Sequence, residues 1–204
     1  MIDSIEYKGR TITIDRDEDP ENPREWGNIG TMICFHNRYD LGDKHDYNPD
    51  NYDGWDELKA AIEKEEDAVV MLPLGLYDHS GITMYVSSQH DTWDGGQVGW
   101  IIATRKSVME NYNVKRITKK ILAKVEKHLR AEVEVYDNYL TGEVYGYSTD
   151  TDSCWGYFGD DGLKEAIREA KSAIDYQLEK EAREKEKKTK IYIKNNVPLE
   201  YRTV

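Results

Sequence analysis

Apolar positions change their period along this chain, and each change marks an element. Ile2–Tyr7 and Arg10–Asp15 alternate apolar and polar residues on either side of Lys8-Gly9. A period of two around a two-residue break predicts a β-hairpin. Thr31–Phe35 is short and apolar and predicts a central strand. Ala68–Tyr77 is a longer apolar run interrupted by Pro73 and Gly75, which predicts a buried strand with a bulge or bend at Pro73. Ile82–Ser87 and Gln97–Thr104 predict two more strands, and Arg105–Tyr112 a short helix. The period then becomes helical at Ile117, Ile121, Val125, Leu129, Val133, Tyr136 and Leu140, and Thr141-Gly142 closes that run. Inside it, Val133 and Val135 alternate with Glu132 and Glu134, so residues 131–140 fit a helix or a strand. Glu143–Ser148 and Cys154–Phe158 read as extended. Asp160-Asp161-Gly162 opens a last helix whose stripe is Leu163, Ile167, Ala170, Ile174 and Leu178. The stripe stops at Leu178 while charged residues continue to Lys190, so the far end is predicted to be solvated.

Arg38–Gly54 is a long polar loop, and loops of that length inside compact domains usually serve a function. Its aromatics Tyr39, Tyr47 and Tyr52, with Trp55 beyond, argue for order. Asp53 is the expected N-cap of a helix starting near Trp55, with Leu58, Ala61 and Ile62 on one face. Together the elements predict an α+β fold. A single globular domain over 1–178 would hold a mostly antiparallel sheet and two or three packed helices. A charged helical extension and tail would occupy 179–204.

Charge narrows the function. The 204 residues include 40 acids and 28 bases, a formal net charge of −12. Residues 1–100 hold 22 acids and 8 bases, whereas residues 101–204 hold 18 acids and 20 bases. An acidic surface repels nucleic acid and anionic membranes and attracts basic partners, so no direct nucleic-acid or membrane binding is expected. Imitation of backbone phosphates is one reading of the acids and plain solubility another. Interleaved tyrosines weaken a pure phosphate mimic. The expected partner-binding surface is Asp17, Glu18, Asp19, Asp46, Asp50, Tyr52 and Asp53. No apolar run approaches membrane-spanning length, and the N-terminus has neither the basic nor the apolar part of a secretory signal. The expected location is the cytoplasm. Two cysteines, Cys34 and Cys154, are too few for a disulfide framework, and Cys154 beside Trp155 is expected to be a buried structural thiol.

No motif names a reaction. Phosphate-loop, dinucleotide, zinc-protease, paired C-x-x-C and nucleophile-elbow patterns are all absent. No catalytic residue is assigned and no cofactor is predicted, with a divalent metal left open. Asp46, Asn48, Asp50 and Glu57 have the oxygen spacing of a calcium loop, but Asn51 replaces the glycine the motif needs. A looser set, His36, Arg38, Asp43, His45, Asp78, His79, Asp94 and Gln97, clusters at strand ends and loops. Such groups could line a small-ligand or nucleotide pocket, or serve a metal-dependent hydrolase. Turn chemistry alone also selects these residue types.

Several stretches resemble an uncharacterised family of small bacteriophage and mobile-element proteins. They are Asn22–His36 with Arg38–His45, Leu72–Thr83, Trp93–Gly99, and Tyr136–Gly146 with Asp152–Gly156. The resemblance implies expression inside an infected bacterial cell. With the acidic first half and the absent catalytic signatures, it gives the expectation of a non-enzymatic accessory protein that binds a host protein, with a defence nuclease of restriction or CRISPR type as one target it could inhibit. It assigns no role to any residue.

Overall fold

The computed structural model describes residues 2–78, 81–87, 95–198 and 201. It is an α+β protein with two four-stranded antiparallel sheets. The chain groups into two compact units, residues 1–19 with 144–204, and residues 20–143.

In the first unit, β1 (Asp3–Tyr7) and β2 (Arg10–Arg16) form the expected hairpin. Lys8 and Gly9 both have positive φ, 50° and 75°, the pairing a tight two-residue turn demands. β7 (Val144–Ser148) adds to β2, and β8 (Ser153–Phe158) to β7, giving the order β1-β2-β7-β8. Helix α4 (Gly159–Asn196) packs Ala166, Ala170 and Ile174 against Ile12, Ile14 and Tyr147. From Glu179 to Lys190 every residue of α4 is exposed.

In the second unit the order is β3-β6-β4-β5, from β3 (Thr31–Cys34), β4 (Ala68–Asp78), β5 (Ile82–Val86) and β6 (Gly95–Thr104). Helices α1 (Trp55–Glu65) and α3 (Lys119–Thr141) cover opposite faces, and α2 (Arg105–Asn111) follows β6 directly. Alternate residues divide accordingly. Met32 and Ile101 join Val125, Leu129, Val133 and Tyr136 of α3, while Ile33, Trp100 and Ile102 meet Leu58 and Ile62 of α1.

Three expectations are corrected. β3 is an edge strand, not a central one, because among the described residues only β6 pairs with it. The register shift in the middle of β4 falls between Leu74 and Gly75, one residue beyond Pro73. Helix α1 is capped by Gly54, not Asp53: Glu57 reaches back and accepts from the Asp53 amide instead. Residues 131–140, open in sequence, are helical. Their apolar stripe meets the sheet, and Gly142 ends α3 in the left-handed region at φ 71°.

Candidate functional site

The long loop is held because it covers an edge. An edge strand presents unpaired backbone groups, and β3 would expose them if bare. The Met32 amide donates to Asp43 Oδ2 at 2.7 Å, and the Asp43 amide donates back to the Met32 carbonyl at 2.8 Å. His45 Nε2 lies 2.9 Å from the Cys34 carbonyl and so must carry the proton, as a carbonyl only accepts. Its Nδ1 is buried without a hydrogen-bond partner among the described residues. Asp43 and His45 thus serve as edge caps.

Beneath them lies a buried ion network. Arg24, in a 3-10 turn (Pro23–Glu25), has a side chain 4% exposed. It donates to Asp43 Oδ2 at 2.6 Å, to the Gly30 carbonyl at 2.7 Å and to Glu132 Oε2 at 3.2 Å. Burial alone would lower the Arg24 pKa, but Asp43 and Glu132 outweigh it and leave it raised. Glu132, on α3, also accepts from the amides of Ile29 and Gly30 at 2.9 and 3.2 Å. A Cβ on Gly30 would sit 2.8 Å from Glu132 Oε2 and 2.5 Å from Leu129 Cδ2, so glycine is what lets the carboxylate approach. Neither Arg24 nor Glu132 was expected from the sequence to matter. One signal is there: Arg24 is the one base between Asp17 and Glu25, whereas Glu132 lies beside an unbroken apolar stripe of Val125, Leu129, Val133 and Tyr136 and carries no local signal.

Above the network opens a cleft of about 550 Å³ lined by Cys34, His36, Tyr39, Asp40, Lys44 and His45, among others. Of the predicted pocket set, His36, Asp43 and His45 come together here. His36 Nδ1 accepts from the amides of Arg38 and Tyr39 at 3.2 Å each, and its ring stacks on Tyr39 with centroids 5.1 Å apart. Arg38 is ion-paired with Asp78 and lies over the Tyr39 ring. Gln97 is exposed and donates to the Gly99 carbonyl at 3.3 Å. His79 and Asp94 lie outside the described residues.

The residues with calcium-loop spacing make local contacts. The Asn48 side chain caps a 3-10 turn through the Asp50 amide, and Glu57 is engaged with Asp53. Asp46, Asn48, Asp50 and Glu57 form no metal-holding group, and no other His, Cys, Asp or Glu group among the described residues does so.

The thiols are also reassigned. Cys154 is exposed, not buried, because edge strand β8 leaves its side chain outward. Cys34 is the buried thiol, and burial together with Asp43 pushes its pKa to about 12. A thiol reagent at pH 8 is expected to modify one cysteine of the native protein quickly and two only after unfolding. Rapid modification of both thiols in the folded state would contradict this.

What the loop leaves outward is acidic and aromatic. Residues 36–57 hold seven acids and two Lys or Arg. Asp40, Asp46, Asp50, Asp53 and Asp56 are exposed, and so are Tyr39 and Trp55. The loop is anchored from below: Phe35 meets His45 at 4.9 Å and Trp55 at 5.8 Å between ring centroids, and Trp55 meets Trp100 at 4.9 Å. Edge-on ring pairs of this kind fix position without polar bonds. Asp17, Glu18 and Asp19 belong to the other compact unit, so the acidic surface expected from sequence divides between two units. Among the described residues no helix is long and apolar enough to cross a membrane. Compared with protein-family models, curated proteins and solved structures, the chain matches none.

Proposed function

We propose that this is a non-enzymatic protein that binds a basic surface on a host-cell protein through the loop of residues 36–57. The observation that carries the reading is the use of the loop's chemistry. Several of its reactive groups are committed to structure: Asp43 to Arg24 and the β3 edge, His36 Nδ1 to two amides, His45 Nε2 to the Cys34 carbonyl, while burial raises the Cys34 thiol pKa. Its outward groups are carboxylates and rings on an anchored scaffold. Such a surface suits a partner whose own ligand is polyanionic, since carboxylates there compete with phosphates for the same lysines and arginines. A defence nuclease, the class implied by the phage-protein resemblance, has a groove of this kind.

The test is quantitative binding to the host protein captured on the full chain. Asp46→Lys, Asp50→Lys and Asp53→Lys combined are expected to weaken that complex at least tenfold with an unchanged melting temperature. Raising salt from about 0.1 to 0.5 M should weaken the wild-type complex similarly, as it does for exposed charge pairs. A complex indifferent to both treatments would overturn the proposal.

A further inference from the structure

Helix α4 continues 18 residues beyond Leu178, the end of its packed stripe. At 1.5 Å per residue that is an arm of about 27 Å. Its composition is graded. Glu179–Glu186 mixes four acids with three bases, whereas Lys187–Asn196 carries four lysines and no acid. Apolar side chains return in the same distal stretch, with Ile191 58% and Tyr192 65% exposed. The arm leaves 36 acids and 21 bases for the rest of the chain. Pairs such as Arg183–Glu179 and Lys190–Glu186 support the helix locally. Such exposed pairs are weak, too weak to explain a solvated arm of this length. Lys187 and Lys188 have no ion-pair partner among the described residues.

The same unit contains a surface of the opposite character. An open cleft of about 600 Å³ lies at the end of β2, lined by Asp17, Glu18, Asp19, Arg16, Ile2 and Trp155, among others. Ile2 and Trp155 are 50% and 47% exposed. Trp155 is presented by close approach to β7: a Cβ on Gly146 would overlap its ring. The cleft therefore offers carboxylates beside an aromatic and an aliphatic side chain, and the arm tip offers ammonium groups beside the same two classes. A continuous helix cannot fold back on itself, so an arm of this kind meets such a surface on another molecule.

We propose that the distal arm of α4, residues 187–193, docks on the Asp17–Asp19/Trp155 cleft of a second copy of this chain. Lysines 187 and 188 meet the carboxylates, and Ile191 and Tyr192 lie against Trp155 and Ile2. Exchange in both directions closes a two-fold dimer, and one-way docking builds an open chain.

Sedimentation of the full chain tests this. Wild type is expected to self-associate in about 50 mM salt and to weaken at least tenfold in about 500 mM, where screening shortens the reach of charge to a few ångströms. Lys187→Glu/Lys188→Glu and, separately, Asp17→Lys/Glu18→Lys should each abolish self-association while leaving the fold's circular dichroism and melting intact. Mixing the two variants should restore a complex, because each reversed surface then faces its complement. A wild-type chain monomeric at low salt would overturn the proposal. So would association that survives either reversal, or reversed variants that fail to pair with each other. An arm that instead binds heparin or duplex DNA while the chain stays monomeric would also overturn it.

Discussion

Replacing Arg24 with Met is expected to destabilise the second unit by about 3–5 kcal/mol, enough to remove much of a typical domain's stability. The reason is what stays behind. Glu132 has a side chain 7% exposed and Asp43 22%. Both were placed there with the guanidinium as counter-charge, and losing one partner of a buried pair leaves the other uncompensated. Four donor bonds also disappear, two to Asp43, one to Glu132 and the one to the Gly30 carbonyl at 2.7 Å. Glu132→Gln removes the opposite charge but keeps oxygen and amide at the same place. The Ile29 amide can then still be accepted, so a loss of about 1–3 kcal/mol is expected. Because the two residues share a network, the double variant Arg24→Met/Glu132→Gln should cost less than the two losses added. Urea unfolding of the four proteins gives the coupling directly. Additive losses, or an Arg24→Met protein of wild-type stability, would show that the network contributes nothing.

Gly99→Ala is expected to cost about 3 kcal/mol or more and to loosen the β3 edge specifically. Gly99 pairs with Cys34 across the β3–β6 ladder and with Leu74 across the β6–β4 ladder. A Cβ there would overlap the Ile33 carbonyl and crowd the Cys34 Cα at 3.0 Å. The obstacle is backbone, which cannot rotate away as a long side chain can, so the strands must separate. Separation would strip cover from Cys34. The variant should therefore react faster at Cys34 with a thiol reagent, even in conditions where it stays folded. Wild-type stability with Cys34 still protected would mean the ladder absorbs a methyl group. Gly54→Ala is the contrasting case. Nothing lies within 4 Å of its would-be Cβ, and its cost comes only from φ 87°. About 1–3 kcal/mol is expected there, from a backbone conformation, φ 87° and ψ −177°, that essentially only glycine adopts.

The amino-acid pattern determined what local periodicity can determine. Alternation around Lys8-Gly9 specified the first hairpin, since a two-residue turn with positive φ admits few sequences. The seven apolar positions from Ile117 to Leu140 specified α3 once a helical face had a sheet to cover. The stripe ending at Leu178 specified where α4 leaves its sheet, because a helix without apolar residues on one face has nothing to bury. The α+β class follows from strands and helices of these kinds in one chain. The interest of the loop from Arg38 to Gly54 was also readable, from its length and its aromatics.

Tertiary structure alone decided what those residues do. His36, Asp43 and His45 have the side chains of a reactive pocket, and sequence cannot tell a catalytic carboxylate from one that caps a strand edge. That depends on whether β3 has a neighbour on its outer side, which is a matter of strand order. Glu132 and Arg24 lie 108 positions apart, and no local period connects them. Their pairing exists because α3 crosses the sheet where the Pro23–Glu25 turn arrives. Asp53 has the chemistry of an N-cap, yet Glu57 took its amide and Gly54 the cap, since φ 87° at that corner favours glycine. Cys154 sits beside a tryptophan in a stretch that reads as buried, and only its place on edge strand β8 exposes it. In each case the residue type set what the group could do, and long-range packing chose among the options, because burial and partners are properties of the fold and not of the neighbouring sequence.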